Sequence, residues 1–428
     1  MAGIPGHLPE KLTITLWDFS WYTMSMPGEP FFDLGRCFAE AVERGYNTVR
    51  ICAMPFLLFD PESGNRRGPL RLANLGEVGM RTRWYNCRGG AVMDGFERLL
   101  ALFREAERHQ CFVILSSWEY QQSFSFLGTR ELYDELMGIP PQERFMAIAK
   151  SMHHLISHVK AAGYGDRIAY VELHNEIEYG GLNRVATDAG ISGDNIAAVI
   201  RAVKPYTEEA LAWLGERHPD LLFTGCYTLG EPWPKDLLPG NMQVGHFHMY
   251  INGVLQQLMD ETGIRNPDAA FPNPLAQSLL REDAPPFDEY RLPEGEEWRL
   301  EGNPVGLRLL YLHDWCDPVK WDLYLYEHYG AHKLAMKQKV DDRFAEIAAW
   351  AADRNLPVVI GEGYVGYTPL LAGFEEGPVG KDLAEHAIRK GMEHGFWGMV
   401  LCSNCAPHHP FWADIGWQRK WNDYIRHA

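Results

Sequence analysis

Short apolar runs recur along the chain, separated by longer stretches whose apolar residues repeat every three or four positions. The runs at 12–17, 46–52, 111–117, 168–174, 221–227, 242–248, 356–361 and 396–402 predict eight buried strands. Between them, amphipathic patterns predict helices over 32–44, 93–110, 141–162, 207–218, 332–354 and 381–394. Strands that alternate with helices pair in parallel, and eight such units favour a (β/α)8 TIM barrel over an open doubly wound sheet. A G-x-G-x-x-G turn is also missing after the first strand, which weakens a dinucleotide-binding alternative.

Two connections exceed what a plain barrel needs. Residues 54–91 follow strand 2 and are rich in Gly, Arg and Asn; residues 250–330 follow strand 6 and carry many Pro, Asp, Glu and aromatic residues. Loops after barrel strands lie on the catalytic face, so both are expected to shape a site. With no convincing linker, the expectation is one barrel domain over 1–428, elaborated at about 251–330.

Forty basic against 57 acidic side chains leave a formal charge of -17. That balance argues against nucleic acid or an anionic membrane as a partner and is compatible with a neutral one. The apolar runs all fall short of the roughly 20 residues of a membrane span. The N-terminus has no basic segment leading into an apolar run, so a cytoplasmic location is expected. Eight scattered cysteines, among them Cys52 and Cys111 inside strand-like runs, suit reduced and buried thiols. Cys402 and Cys405 have C-x-x-C spacing but no second pair nearby to complete a zinc site.

Candidate chemistry sits at two strand ends. Tyr170-Val-Glu-Leu-His-Asn175-Glu176 closes strand 4, and Pro357-Val-Val-Ile-Gly-Glu362 closes strand 7. Carboxylates at the C-terminal ends of two barrel strands would face each other across one pocket. A retaining glycosidase needs such a pair, one proton donor and one nucleophile roughly 5 Å apart. Arg50, inside the otherwise apolar strand 2, could hold the nucleophile ionised through a charge-assisted hydrogen bond. His246, His248 and Tyr250 share one face of strand 6 by alternation.

On these residues the chain resembles the clan-A glycoside hydrolases, the cellulase-like barrels with catalytic glutamates after strands 4 and 7. The resemblance spans about residues 12–405 and implies Glu176 as acid/base, Asn175 as the holder of the sugar 2-hydroxyl, and Glu362 as nucleophile. It also implies supporting roles for Arg50, His248 and Tyr250, with no cofactor and no metal. Glu172, within strand 4, reads as a buried ion-pair partner and Glu178 as a loop or subsite residue. Sugar-binding candidates are Trp17, Asp18 and Trp21 after strand 1, Trp118 and Glu119 after strand 3, and Asn404 and Trp412 after strand 8. For each of the aromatics, core packing is the competing reading.

The chain departs from the clan at three places. Ile177 follows the strand-4 glutamate instead of a nearby proline, Ser116-Ser117-Trp118 stands where a histidine is usual, and Ser403-Asn404 where a tryptophan closes strand 8. The expectation is therefore a retaining, metal-independent glycoside hydrolase acting on a small β-linked carbohydrate. A cellulase-like carbohydrate-binding protein with little turnover is the alternative. A third reading, a metal-dependent barrel hydrolase, would use His246 and His248.

Overall fold

A computed structural model describes all residues except 1–2, 74–88, 229–234, 267, 292–293, 296, 302–305, 367–368 and 370. Its centre is a parallel sheet of eight strand positions: β1 (Leu12–Asp18), β2 (Thr48–Cys52), β3 (Phe112–Ser116), β4 (Ile168–Glu172), β5, β6 (Gly245–Tyr250), β7 (Val358–Tyr364) and β8 (Gly398–Val400). β5 is split at Gly225 into Phe223–Thr224, which pairs with β4, and Cys226–Thr228, which pairs with β6. The order β5-β4-β3-β2-β1-β8-β7-β6-β5 closes on itself, so the expected barrel is the observed one. A side chain at Gly225 would put its Cβ 2.6 Å from the Ile177 methyl, which explains glycine at the split.

The helices are α1 (Leu34–Glu43), α2 (Gly95–Arg108), α3 (Arg144–Ala161), α4 (Ile196–Arg217), α5 (Val254–Thr262), α6 (Pro318–Arg354), α7 (Pro378–Glu393) and α8 (Ile415–Arg426), with shorter turns between them. Their starts follow capping chemistry: Asp33, Asp94 and Asp317 each accept backbone N–H groups of the first turn. Two helices begin well before the positions predicted. α4 starts at residue 196 and runs through Pro205, a residue that ordinarily ends a helical pattern. α6 has 37 residues instead of the 23 of the predicted segment 332–354, because Asp317-Pro318 supplies a cap and a helix-ready first position. Its first half is so rich in Tyr, Trp and Leu that it lacks a clear polar stripe.

Barrel depth sorts the interior by polarity. Toward the N-terminal ends of the strands, Leu12, Ile14, Ile114, Tyr170, Val359 and Val400 belong to one apolar cluster. Above it come Arg50, Glu172 and His246, all fully buried, and above those the carboxylates at the strand ends. The loop after β2 contains a two-stranded hairpin, Leu70–Arg71 with Val92–Met93, and none of the described helices is long and apolar enough to cross a membrane.

Candidate active site

The register of the sheet places Arg50 at the hub of the mouth. Its Nε and Nη2 donate to the two Glu172 oxygens at 2.7 and 2.8 Å, Nη2 also donates to Asn175 Oδ1 at 2.7 Å, and Nη1 donates to Glu362 Oε1 at 2.7 Å. A guanidinium with this many charged acceptors stays charged and fixes their geometry. Burial works against ionised Glu172, but Arg50 and the neighbouring His246 overcome it and bring that carboxyl down to about 2.

Glu362 lies within β7, one residue past Gly361. A Cβ at Gly361 would fall 1.9 Å from His246 Nε2, so glycine is what lets the histidine ring pack under the strand end. The second Glu362 oxygen accepts from the Tyr250 hydroxyl at 2.7 Å, and that hydroxyl also meets Ser403 Oγ at 2.9 Å. Glu176 follows β4 in a left-handed conformation, φ 44°, uncommon for a residue other than glycine. Its Oε2 accepts from Gln121 Nε2 at 2.8 Å and its Oε1 lies 2.9 Å from His248 Nδ1. His248 Nε2 in turn is 3.1 Å from Cys226 Sγ and 3.4 Å from Glu362 Oε1. One imidazole thus touches both glutamates, and a carboxylate oxygen of Glu176 lies within 4.8 Å of one from Glu362. Burial pushes the Glu176 carboxyl up, but His248, Gln121 and Arg50 together hold it below its ordinary value.

A cleft of about 600 Å³, including its mouth, opens above these groups. Of the residues expected from sequence, Asp18, Trp118, Asn175, Glu176, Tyr250, Glu362 and Asn404 line it. Arg50 and His248 are buried directly behind the two glutamates. The others are placed elsewhere. Trp17 packs edge-on against Phe38, Trp21 donates its indole N–H to the Cys52 carbonyl, and Trp412 donates to Glu40 while stacking on Tyr46. Leu16 and Asp18 face the cleft, so strand alternation sends Trp17 into the helix layer. Glu119 is fully buried and accepts the Phe56 N–H, tethering the loop after β2; burial raises its carboxyl to about 7. Trp118 is 2% exposed, and the Arg50 guanidinium lies 4.7 Å from its ring centre, so one face is already covered.

The cleft also recruits residues that the sequence pattern did not single out, among them Gln121, Gln122, Ser403 and Glu375. Gln121 is placed by a turn on the Trp118 carbonyl and links Asn175 Nδ2 to Glu176, contacts across more than 50 residues that no local spacing encodes. Glu375 reaches the wall because Asp322 of α6 accepts the N–H groups of Gly373 and Phe374. Its one available signal was position, since it follows strand 7 and therefore belongs to the loops above the mouth. His409, part of a His-His pair in a Pro-rich loop, lines the cleft, while its neighbour His408 lies 3.5 Å from Asp18.

Among the described residues, two clusters bring possible metal-donor atoms together, Cys226 with His246 and His248, and Glu176 with His248 and Glu362. At the first, Arg50 Nη2 lies 4.0 Å from the Cys226 sulfur, and His246 Nδ1 is engaged by the Tyr170 hydroxyl at 2.6 Å. A cation there would face a fixed positive charge. Cys402 and Cys405 are unbridged, their sulfurs 3.4 Å apart, and the described cysteines are all buried and free; Cys87 lies outside the described residues.

A family model described as sugar-binding cellulase-like matches residues 14–250 and 290–426. No curated protein matches the chain. Among solved structures, a candidate glycoside hydrolase from Parabacteroides distasonis ATCC 8503 is 18% identical, with 98% of this chain and 94% of that one covered at a TM-score of 0.67. The endo-β-1,4-mannanase of Thermotoga petrophila is 11% identical, with 98% of this chain and 77% of that one covered at a TM-score of 0.51. At such identities the likeness is one of fold.

Proposed function

Because the chain belongs to the sugar-binding cellulase-like family, we propose that it is a retaining glycoside hydrolase acting on a neutral β-linked glycoside or short oligosaccharide. The observation that carries the reading is the pair of carboxylate oxygens from Glu176 and Glu362 within 4.8 Å of each other. Retaining enzymes hold their carboxyl groups roughly 5–5.5 Å apart, whereas inverting ones leave about 6.5–9.5 Å for a water.

In this mechanism Glu362 attacks the anomeric carbon. Arg50 and Tyr250 each donate to one of its oxygens and fix it as an oriented carboxylate. Glu176 donates its proton to the departing oxygen, then accepts one from the water that releases the sugar. Asn175 has its Oδ1 on Arg50 and its Nδ2 on Gln121, a rigid placement beside the acid/base that suits a hydroxyl of the bound ring. The charged groups lining the cleft, Asp18, Glu176, Glu362 and Glu375, are all acidic, which supports a neutral sugar over an anionic one.

A second reading, a carbohydrate-binding protein with little turnover, is favoured by one observation. Glu176 is held toward ionisation, whereas a proton donor works best when its carboxyl is raised. Intact-protein mass after incubation with 2-deoxy-2-fluoro glycosides bearing good leaving groups separates the two. A glycosyl adduct on the wild type and none on Glu362→Gln is expected; calorimetric sugar binding without any adduct would replace the hydrolase with the binder. Activity is expected to survive EDTA, and a loss restored by zinc would overturn the metal-independent mechanism.

A further inference from the structure

Resting on the double-displacement reading, we propose that Cys226 is a positioning residue: its thiol donates to His248 Nε2 and so fixes the ring with its own proton on Nδ1, facing Glu176. The Cys226 sulfur lies 3.1 Å from Nε2, and Nδ1 lies 2.9 Å from Glu176 Oε1, so thiol, imidazole and acid/base form one line of hydrogen bonds. Cys226 and His248 are both buried. Burial and the negative Glu172 push the thiol well above its ordinary value, leaving it a donor at neutral pH.

His248 stands where its protonation state decides that of its neighbours. Glu176 from the loop after β4 faces Nδ1, while Glu362 from β7 lies 3.4 Å from Nε2. Glu172 from β4 and Arg50 from β2 stand behind them, and His246 and Tyr250 flank the ring on its own strand. Two carboxylates on one imidazole favour a second proton, and an imidazolium so formed would pull the Glu176 carboxyl down and make it a poor acid. A thiol hydrogen aimed at Nε2 competes with that proton. It leaves Nδ1–H as a neutral donor to Glu176, a much weaker pull than a full charge. β5 delivers the sulfur because its second segment restarts at Cys226, directly after the Gly225 split, in register with His246.

The test compares wild type with Cys226→Ala and Cys226→Ser, a hydroxyl being able to donate in place of the thiol. In the pH profile of kcat/KM, the basic limb belonging to Glu176 is expected to fall by about one pH unit or more in Cys226→Ala. Cys226→Ser is expected to restore it. Equal losses in both variants with an unmoved limb would reduce Cys226 to packing and overturn the proposal. A second readout does not depend on turnover. With ¹⁵N-labelled histidine and His248→Gln for assignment, wild-type His248 is expected to carry its proton on Nδ1 and none on Nε2, and Cys226→Ala to gain a proton on Nε2. An identical His248 proton pattern in the two proteins overturns the proposal even if the protein hydrolyses no glycoside. The wild-type pattern without any glycosyl adduct would leave the thiol's role standing and remove the hydrolase.

Discussion

At the ends of β4, β6 and β7 the inward side chains are charged or hydrogen-bonding and are tied to one another across the barrel, whereas near β1 and β8 the large side chains turn outward. In the first sector, Arg50 alone joins Glu172, Asn175 and Glu362, and His248 joins both strand-end glutamates. In the second, Trp17, Trp21 and Trp412 are spent on packing beneath helices, and the cleft is walled there by Leu16, Asp18, Phe19 and Asn404. A chain with 14 tryptophans therefore contributes, among its described residues, one of them to the cleft wall, and that one carries a guanidinium over its face. Aromatic abundance is a property of the core here, while amides and carboxylates make up much of the cleft wall.

The sharpest way to break that contrast is Glu362→Gln, which should lower kcat on the order of 10⁴-fold or more while sparing the fold. Near wild-type turnover in that variant would show that the first sector is structural. Arg50→Ala comes next. It takes the guanidinium away from the fully buried Glu172, leaving only His246 beside that carboxylate, so urea denaturation should show a loss of about 3–5 kcal/mol. A loss under 1 kcal/mol, roughly what an exposed ion pair contributes, would mean that the hub is not what holds the sector together. Tyr250→Phe removes one hydrogen bond to a carboxylate, worth about 1.5–3 kcal/mol, or roughly 10–100-fold in kcat/KM.

Glu178 extends the first sector outward. It is fully buried, takes the N–H and hydroxyl of Thr228 on one oxygen, and is raised by burial from 4.5 to about 8. Because the folded chain keeps this proton to higher pH than the unfolded chain does, the group costs stability increasingly between about pH 4.5 and 8 and no further above that. The Tm advantage of Glu178→Gln over wild type should grow across that window; a constant difference would show Glu178 ionised throughout. The smallest effect belongs to the second sector. Trp412→Phe should leave KM for sugar within about twofold and cost at most about 1–3 kcal/mol of stability. A large rise in KM there would reinstate Trp412 as a sugar contact.

These two sectors also differ in how legible they are from sequence. Glu176, Glu362, Arg50 and Tyr250 could be placed because each ends or interrupts an apolar strand, and barrel closure alone carries such residues to one mouth. Trp21, Trp412 and Glu119 could not, since proximity to a strand end says nothing about which way a side chain turns once the loop folds back, whereas Trp17 lies within β1 and alternates away from the cleft that Leu16 and Asp18 face. Gln121 and Cys226 were hidden for a different reason. Gln121 meets Asn175 and Glu176 across 54 and 55 residues, and Cys226 meets His248 across 22. Helix lengths failed where local chemistry overrode pattern, as at Pro205 in α4 and at Asp317-Pro318 opening α6.

The clasp that Asp322 makes on Gly373 and Phe374 has an engineering consequence. Glu375 enters the cleft from the loop after β7, yet its anchor belongs to a helix that descends from the segment after β6. The two are one module in mechanical terms, so a chimera that transplants either segment into a sister barrel without the other would lose this side of its wall.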